Sequence, residues 1–240
     1  MDEINTLENN KQSNIYIDGV SCCLKTSIVK HLQNLNLPTY FMDFSERIDN
    51  ISPIFKTKHH DSFTQYLYTM INTQLYPTNE LHIIDRSPLS DIWYYCIDFM
   101  NSQIAATPKI YSNTEYEKLA LEFLSTYFIT KNNTNPTVLQ EKMTEILHKF
   151  NTIIMCPNYL HAESILKKSI ERANNIDILS IEYIKMQIAI FEVLNKYFDI
   201  SNFYFYKFDR DEIIYSENTF NQVLCFIKML YANNSITQKK

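Results

Sequence analysis

Apolar and polar positions along this chain fall into two alternating patterns. Short, nearly unbroken apolar runs rich in Ile, Tyr and Phe read as buried strands: "NIYID" over 14–18, "TYFMDF" over 39–44, "LHIID" over 81–85, "NTIIMC" over 151–156 and "NFYFYKF" over 202–208. Between them, apolar residues spaced three and four apart predict helices over 25–36, 61–75, 90–102, 114–130, 137–149, 160–172, 180–198 and 217–231. Pro38 follows the first helix, Pro157 closes the fourth strand, and "KNNTNPT" breaks the helical pattern before 137.

Strands that alternate with helices and are apolar throughout belong to a parallel sheet buried on both faces. The expected fold is therefore α/β, a three-layer sandwich around a five-stranded parallel sheet. Ligands of such sheets bind outside the carboxyl ends of the strands. No internal repeat or low-complexity linker interrupts the pattern. A single domain is expected over 13–232, with a disordered N-terminal tail at 1–12 and a C-terminal tail at 233–240.

Composition narrows the function classes. With 45% hydrophobic residues in 240, the chain has the apolar content to bury a core. The net charge is −5 and Lys and Arg form no block, so direct nucleic-acid binding is not expected. The five cysteines are odd in number and lack CxxC or zinc-ligand spacing, which points to a reducing compartment. The polar start "MDEINTLENN" is unlike a signal peptide and no apolar run reaches spanning length, so a cytoplasmic location without membrane attachment is expected.

Glycine changes the picture most. Gly19 is the only one in the chain, and it begins the stretch Gly19-Val20-Ser21-Cys22-Cys23-Leu24-Lys25-Thr26-Ser27. That spacing matches G-x-x-x-x-G-K-[ST], in which backbone N–H groups wrap phosphates, the lysine reaches them and the hydroxyl holds Mg²⁺. One position departs: Leu24 stands where the second glycine belongs. A side chain there disfavours a left-handed backbone by roughly 1–2 kcal/mol. An ordinary strand-to-helix turn with an accidental lysine is the alternative. Cys22 and Cys23, near a helix N-terminus, admit a redox role or simply fill a tight loop as small residues.

Charged residues follow the other strand ends. After the third comes Asp85-Arg86, a carboxylate able to hold Mg²⁺ and a guanidinium able to offset phosphoryl charge, or else a local salt bridge. After the second come Asp43 and Glu46, either of which could accept a proton from an attacking hydroxyl, with Asp43 favoured. Lys167, Lys168 and Arg172 could close over phosphates or form a solvated helix face. Gln65 offers an amide edge to a base, or lies on the surface.

These segments, in this order, resemble the deoxynucleoside kinases, which include viral thymidine kinases, within the P-loop nucleoside and nucleotide kinase superfamily. The resemblance spans roughly 13–230 through short motifs and a degenerate loop. It implies a P-loop kinase fold using ATP and Mg²⁺, a small-molecule deoxynucleoside such as thymidine as acceptor, and a homodimer in the host cytoplasm if the source is viral. Residue by residue, it implies phosphate contacts from the loop with Lys25 and Thr26, and a general base at Asp43. It implies base recognition by Gln65, Mg²⁺ at Thr26 and Asp85, and charge stabilisation by Arg86. Lys168 and Arg172 match two lid positions, with Asn174 at a third. Asp177 falls near a residue that contacts the sugar 3′-hydroxyl. Asp209, within "KFDRDE", falls in the adenine-contacting segment. Asp91 matches a base-specificity position whose usual Arg partner is missing, Asn72 being nearest. Departures from the family pattern sit at Leu24, Asp43, Lys168 and Asn174. Thymidylate kinase, suggested by Ser90 and Tyr94 after Asp85-Arg86, and a non-catalytic nucleotide- or partner-binding relative are the alternatives.

Overall fold

A computed structural model of the chain describes residues 14–40, 81–87, 89–172 and 178–237. Five parallel strands form one sheet in the order β2-β3-β1-β4-β5: β1 (Ile15–Gly19), β2 (Thr39–Tyr40), β3 (Ile83–Asp85), β4 (Asn151–Cys156) and β5 (Phe203–Lys207). Every residue of β1 and β3 is buried. Since successive side chains point to opposite faces, both faces must be covered, as the unbroken apolar runs require. The fold is the expected three-layer α/β sandwich.

The helices are α1 (Lys25–Asn34), α2 (Ser90–Ala106), α3 (Asn113–Tyr127), α4 (Val138–Leu147), α5 (Ala162–Arg172), α6 (Ile181–Tyr197) and α7 (Glu217–Thr237). Capping chemistry sets several boundaries more tightly than the apolar period does. Ser112 with Glu115, and Thr137 with Gln140, form reciprocal capping boxes that start α3 and α4, while Ser180 caps α6 through the Tyr183 N–H. Helix α1 stops at Asn34, because Asn36 turns left-handed at φ 58°. Helix α7 runs on through Thr237 rather than stopping near 231, since "YANNSIT" holds no Pro or Gly to end it. Residues 233–237 therefore continue the helix. The helix expected over 61–75 and most of the second strand lie outside the described residues.

Helix α6 is the central one. Its buried face runs from Tyr183 to Leu194 and packs on β4, α2, α3 and α5. Trp93 of α2 meets Phe191 of α6 edge-to-face at 6.0 Å, and Phe128 meets Phe198 likewise at 6.4 Å. Lys196 of α6 binds Glu117 of α3 at 2.9 Å. Asp18 and Gln187 are among the polar residues buried beside the loop. Both turn out to shape the site.

Candidate phosphate-binding site

The loop lies between β1 and α1, at the carboxyl end of the central strand. Gly19 has φ +124°, a region L side chains rarely enter, and a Cβ built on it would stand 2.6 Å from Met155 N and 2.9 Å from Met155 C, with Met155 O nearer still. The chain's single glycine is thus required by the neighbouring strand: Gly19 is in register with Met155, and Val20 N donates to Met155 O at 3.2 Å. The reason lies inside the sheet.

Beyond Gly19 the loop divides. Val20 is fully buried in the core, and Ser21 is buried against α6, its N–H and hydroxyl donating to Gln187 Oε1 at 2.8 and 2.9 Å. Residues Cys22 to Ser27 then line a cavity of about 400 Å³, shared with Lys30, Arg86, Lys168, Glu171, Arg172 and Tyr215. Cys22 (φ 57°) and Leu24 (φ 61°) are both left-handed. Left-handed residues at alternate positions turn successive N–H groups toward one centre, the concave arrangement that binds anions. Leu24 adopts the conformation a glycine would take more cheaply. Helix α1 has no side-chain cap, so its first N–H groups face this cavity.

Lys25 is 4% exposed, and its Nζ donates to Gly19 O at 2.9 Å and Val20 O at 2.5 Å. Burial, aided by the nearby Arg86 guanidinium, lowers its pKa to about 8. Among the described residues the hydrogen-bond partners of the Lys25 ammonium are these two loop carbonyls, which a phosphate oxygen could replace. Thr26 Oγ1 donates to Asp85 Oδ2 at 2.6 Å, joining the start of α1 to the end of β3. Asp85 is 2% exposed, and its Oδ1 has no hydrogen-bond partner among the described residues. A hydroxyl and a carboxylate with one unused buried oxygen fit a Mg²⁺ ion that keeps waters and shares phosphate oxygens.

Arg86 is the third left-handed residue on this cavity, at φ 81°. Its N–H donates to Ile17 O at 2.9 Å and its guanidinium lies 3.9 Å from the Asp18 carboxylate. Asp18, 1% exposed, was not singled out in the sequence. Oδ1 accepts from Gly19 N at 2.8 Å, and Oδ2 accepts from Ser87 Oγ (2.6 Å), Ser90 Oγ (2.7 Å) and Trp93 Nε1 (3.2 Å). One carboxylate thereby ties β1, the segment after β3 and α2 together. A second, smaller cavity lies here, lined by Asp18, Gly19, Arg86, Trp93, Gln187 and Phe191 among others. Arg86 borders both cavities.

The remaining predicted residues divide clearly. Lys168 and Arg172 of α5 reach the large cavity; Lys168 also pairs with Glu171 at 3.0 Å and lies 5.7 Å from the Tyr215 ring centroid. Tyr215 itself, missed in the sequence, donates to Cys22 O at 3.0 Å and shapes the loop. Asp209 is exposed and off the cavity lining; His161 Nε2 contacts its carbonyl at 2.9 Å. Burial pushes the Cys23 thiol up to about 12, which opposes a redox role for it and fits a packing residue. Asp91 belongs to the first turn of α2. Asp43, Glu46, Gln65, Asn72, Asn174 and Asp177 lie outside the described residues.

This is an α/β fold, a five-stranded parallel sheet between helices. No protein-family model and no curated protein matches the chain. Among solved structures, the full-length tRNA isopentenylpyrophosphate transferase of Bacillus halodurans is similar over 96% of this chain and 100% of that one, with 12% identity and a TM-score of 0.38. A likeness at that score says nothing of what this chain binds. No helix among the described residues is long and apolar enough to cross a membrane.

Proposed function

We propose that the protein is an ATP-dependent phosphotransferase and, on the strength of the sequence resemblance, a deoxynucleoside kinase that moves the γ-phosphoryl group of ATP to a 5′-hydroxyl. The observation that carries the reading is the Thr26–Asp85 hydrogen bond at 2.6 Å, with Asp85 Oδ1 left without a partner among the described residues, set beside the lysine of the same loop. An accidental strand-to-helix turn has no need to bury an acid with an unused oxygen, which costs about 1–3 kcal/mol.

In this reading Cys22 to Ser27 hold the phosphates by their N–H groups, and Lys25 exchanges its loop carbonyls for phosphate oxygens. Thr26 and Asp85 hold Mg²⁺, which offsets phosphate charge when bound. Arg86, which borders both cavities, is assigned the stabilisation of the transferred group's charge. Lys168 and Arg172 cover the phosphates from α5. Asp43 as proton acceptor, and Gln65, Asp91, Asp177 or Glu46 as acceptor contacts, rest on the resemblance.

The test is ADP release from Mg·ATP with each of the four deoxynucleosides and with dTMP, beside Lys25→Ala and Asp43→Asn. Turnover with a deoxynucleoside that both substitutions abolish is the expected result, and chromatography of a monophosphate product separates it from thymidylate kinase, whose product is a diphosphate. Absence of turnover with every acceptor in folded protein refutes the kinase. A nucleotide-binding relative without catalysis then stands.

A further inference from the structure

Gln187 is a polar residue in the apolar face of α6, 5% exposed, and among the described residues half of its amide has no partner. Its oxygen accepts from the Ser21 N–H and hydroxyl. A backbone N–H can only donate, so the amide oxygen must face Ser21 and the orientation of the amide is settled. Nε2 then points the other way, with no hydrogen-bond partner among the described residues. Gln187 lines the small cavity with Asp18, Gly19, Arg86, Trp93 and Phe191.

Asp18 cannot satisfy this amide, because its two oxygens already take four hydrogen bonds. The space, about 10 Å³, suits one water-sized group. That space is too small for a phosphate, the Arg86 guanidinium lining it is drawn to the Asp18 carboxylate at 3.9 Å, and indole and phenyl walls with a donor amide favour a neutral oxygen. The cavity also adjoins Arg86, hence the phosphate cavity.

We propose that Gln187 is a specificity-determining residue for the phosphoryl acceptor: Nε2 donates to a neutral hydroxyl oxygen of the acceptor, while Oε1 holds Ser21 of the loop. The acceptor's identity as a deoxynucleoside rests on the kinase reading. One amide thus touches the acceptor with one end and the phosphate loop with the other, so acceptor binding steadies the loop that carries the donor.

The test is calorimetric titration of the wild type, Gln187→Glu and Gln187→Met with each of the four deoxynucleosides, and separately with Mg·ADP. Gln187→Glu keeps an oxygen for Ser21 and replaces the donor by an acceptor. The expected result is nucleoside affinity at least tenfold weaker in Gln187→Glu, with Mg·ADP affinity changed no more than threefold. Gln187→Met, which loses both ends, weakens both and serves if a buried carboxylate prevents folding. Unchanged nucleoside affinity in these variants overturns the inference and assigns Nε2 to a buried water, as does a wild type that binds no deoxynucleoside. The phosphotransfer assay run alongside separates the two claims. Turnover with unchanged nucleoside affinity overturns this inference alone, whereas weakened nucleoside binding without wild-type turnover upholds the Nε2 contact to a bound nucleoside and refutes the kinase reading, and with it the nucleoside's role as acceptor.

Discussion

Gly19→Ala separates two reasons for keeping the chain's only glycine. If glycine serves to bring phosphates near, alanine leaves the apoprotein as stable as before and weakens only nucleotide binding. The geometry says otherwise. Moving the new Cβ from 2.6 Å to the 3.4 Å where ordinary contact with Met155 N begins takes at least 0.8 Å of strand separation, and Met155 O, nearer still, demands more. That displacement also strains the Val20 N to Met155 O hydrogen bond, 3.2 Å at rest. A backbone held at φ +124° costs about 1–3 kcal/mol with a side chain present. Overpacking adds about 1–3 kcal/mol, and the lost hydrogen bond about 0.5–1.5 kcal/mol. The total of roughly 2.5–7.5 kcal/mol is a large part of the 5–15 kcal/mol that holds a domain together. Urea unfolding measures it, followed by the fluorescence of Trp93, the single tryptophan, which is buried against Asp18. The midpoint is expected to fall by about 1–2 M. A midpoint within about 0.3 M of the wild type would refute the argument from the strand and return the glycine to the phosphates.

Three further outcomes follow from the same geometry. Because Leu24 is left-handed, Leu24→Gly is expected to be more stable than Leu24→Ala by about 1 kcal/mol, although alanine keeps more side chain; equal stability in urea would show the loop unstrained there. Asp18→Asn puts an NH₂ group against either Gly19 N or the Ser87, Ser90 and Trp93 donors, so a loss of about 2–4 kcal/mol is expected in the same assay, and a near-neutral substitution would remove Asp18 as the tie between these elements. With its thiol pushed up to about 12, Cys23 holds a thiolate fraction of only about 10⁻⁴ at pH 8. Iodoacetamide followed by mass spectrometry should therefore label exposed Cys225 and half-buried Cys22 well before Cys23, and labelling of Cys23 at the rate of Cys225 would contradict its burial.

Much of the fold could be read from the residue order, because a strand buried on both faces must be apolar at every position and a helix at every third or fourth. "IYI" and "IIMC" satisfy the first rule within β1 and β4, and "IEYIKMQIAIFEVL" the second over α6. The loop was legible for a similar reason: Lys25 and Thr26 stand at fixed offsets from Gly19, and local spacing suffices to place them on the first turn of α1. Two signals in the same text went unused. A carboxylate ending a buried strand (Asp18) and an amide inside an apolar helix face (Gln187) both need partners to be tolerated, and so mark themselves.

Which partners they take could not be seen along the chain. Asp18 meets Trp93, and Ser21 meets Gln187, across separations that only the order of the strands and the packing of α2 and α6 close. The sequence by itself determined the parallel α/β class, the strand-to-helix loop and its cation. Tertiary structure alone decided that the glycine answers to Met155, that Leu24 bears a left-handed backbone, and that Arg86 stands between two cavities. Periodicity and spacing are properties of neighbours in the chain, whereas a backbone clash, a strained dihedral and a shared wall are properties of neighbours in space.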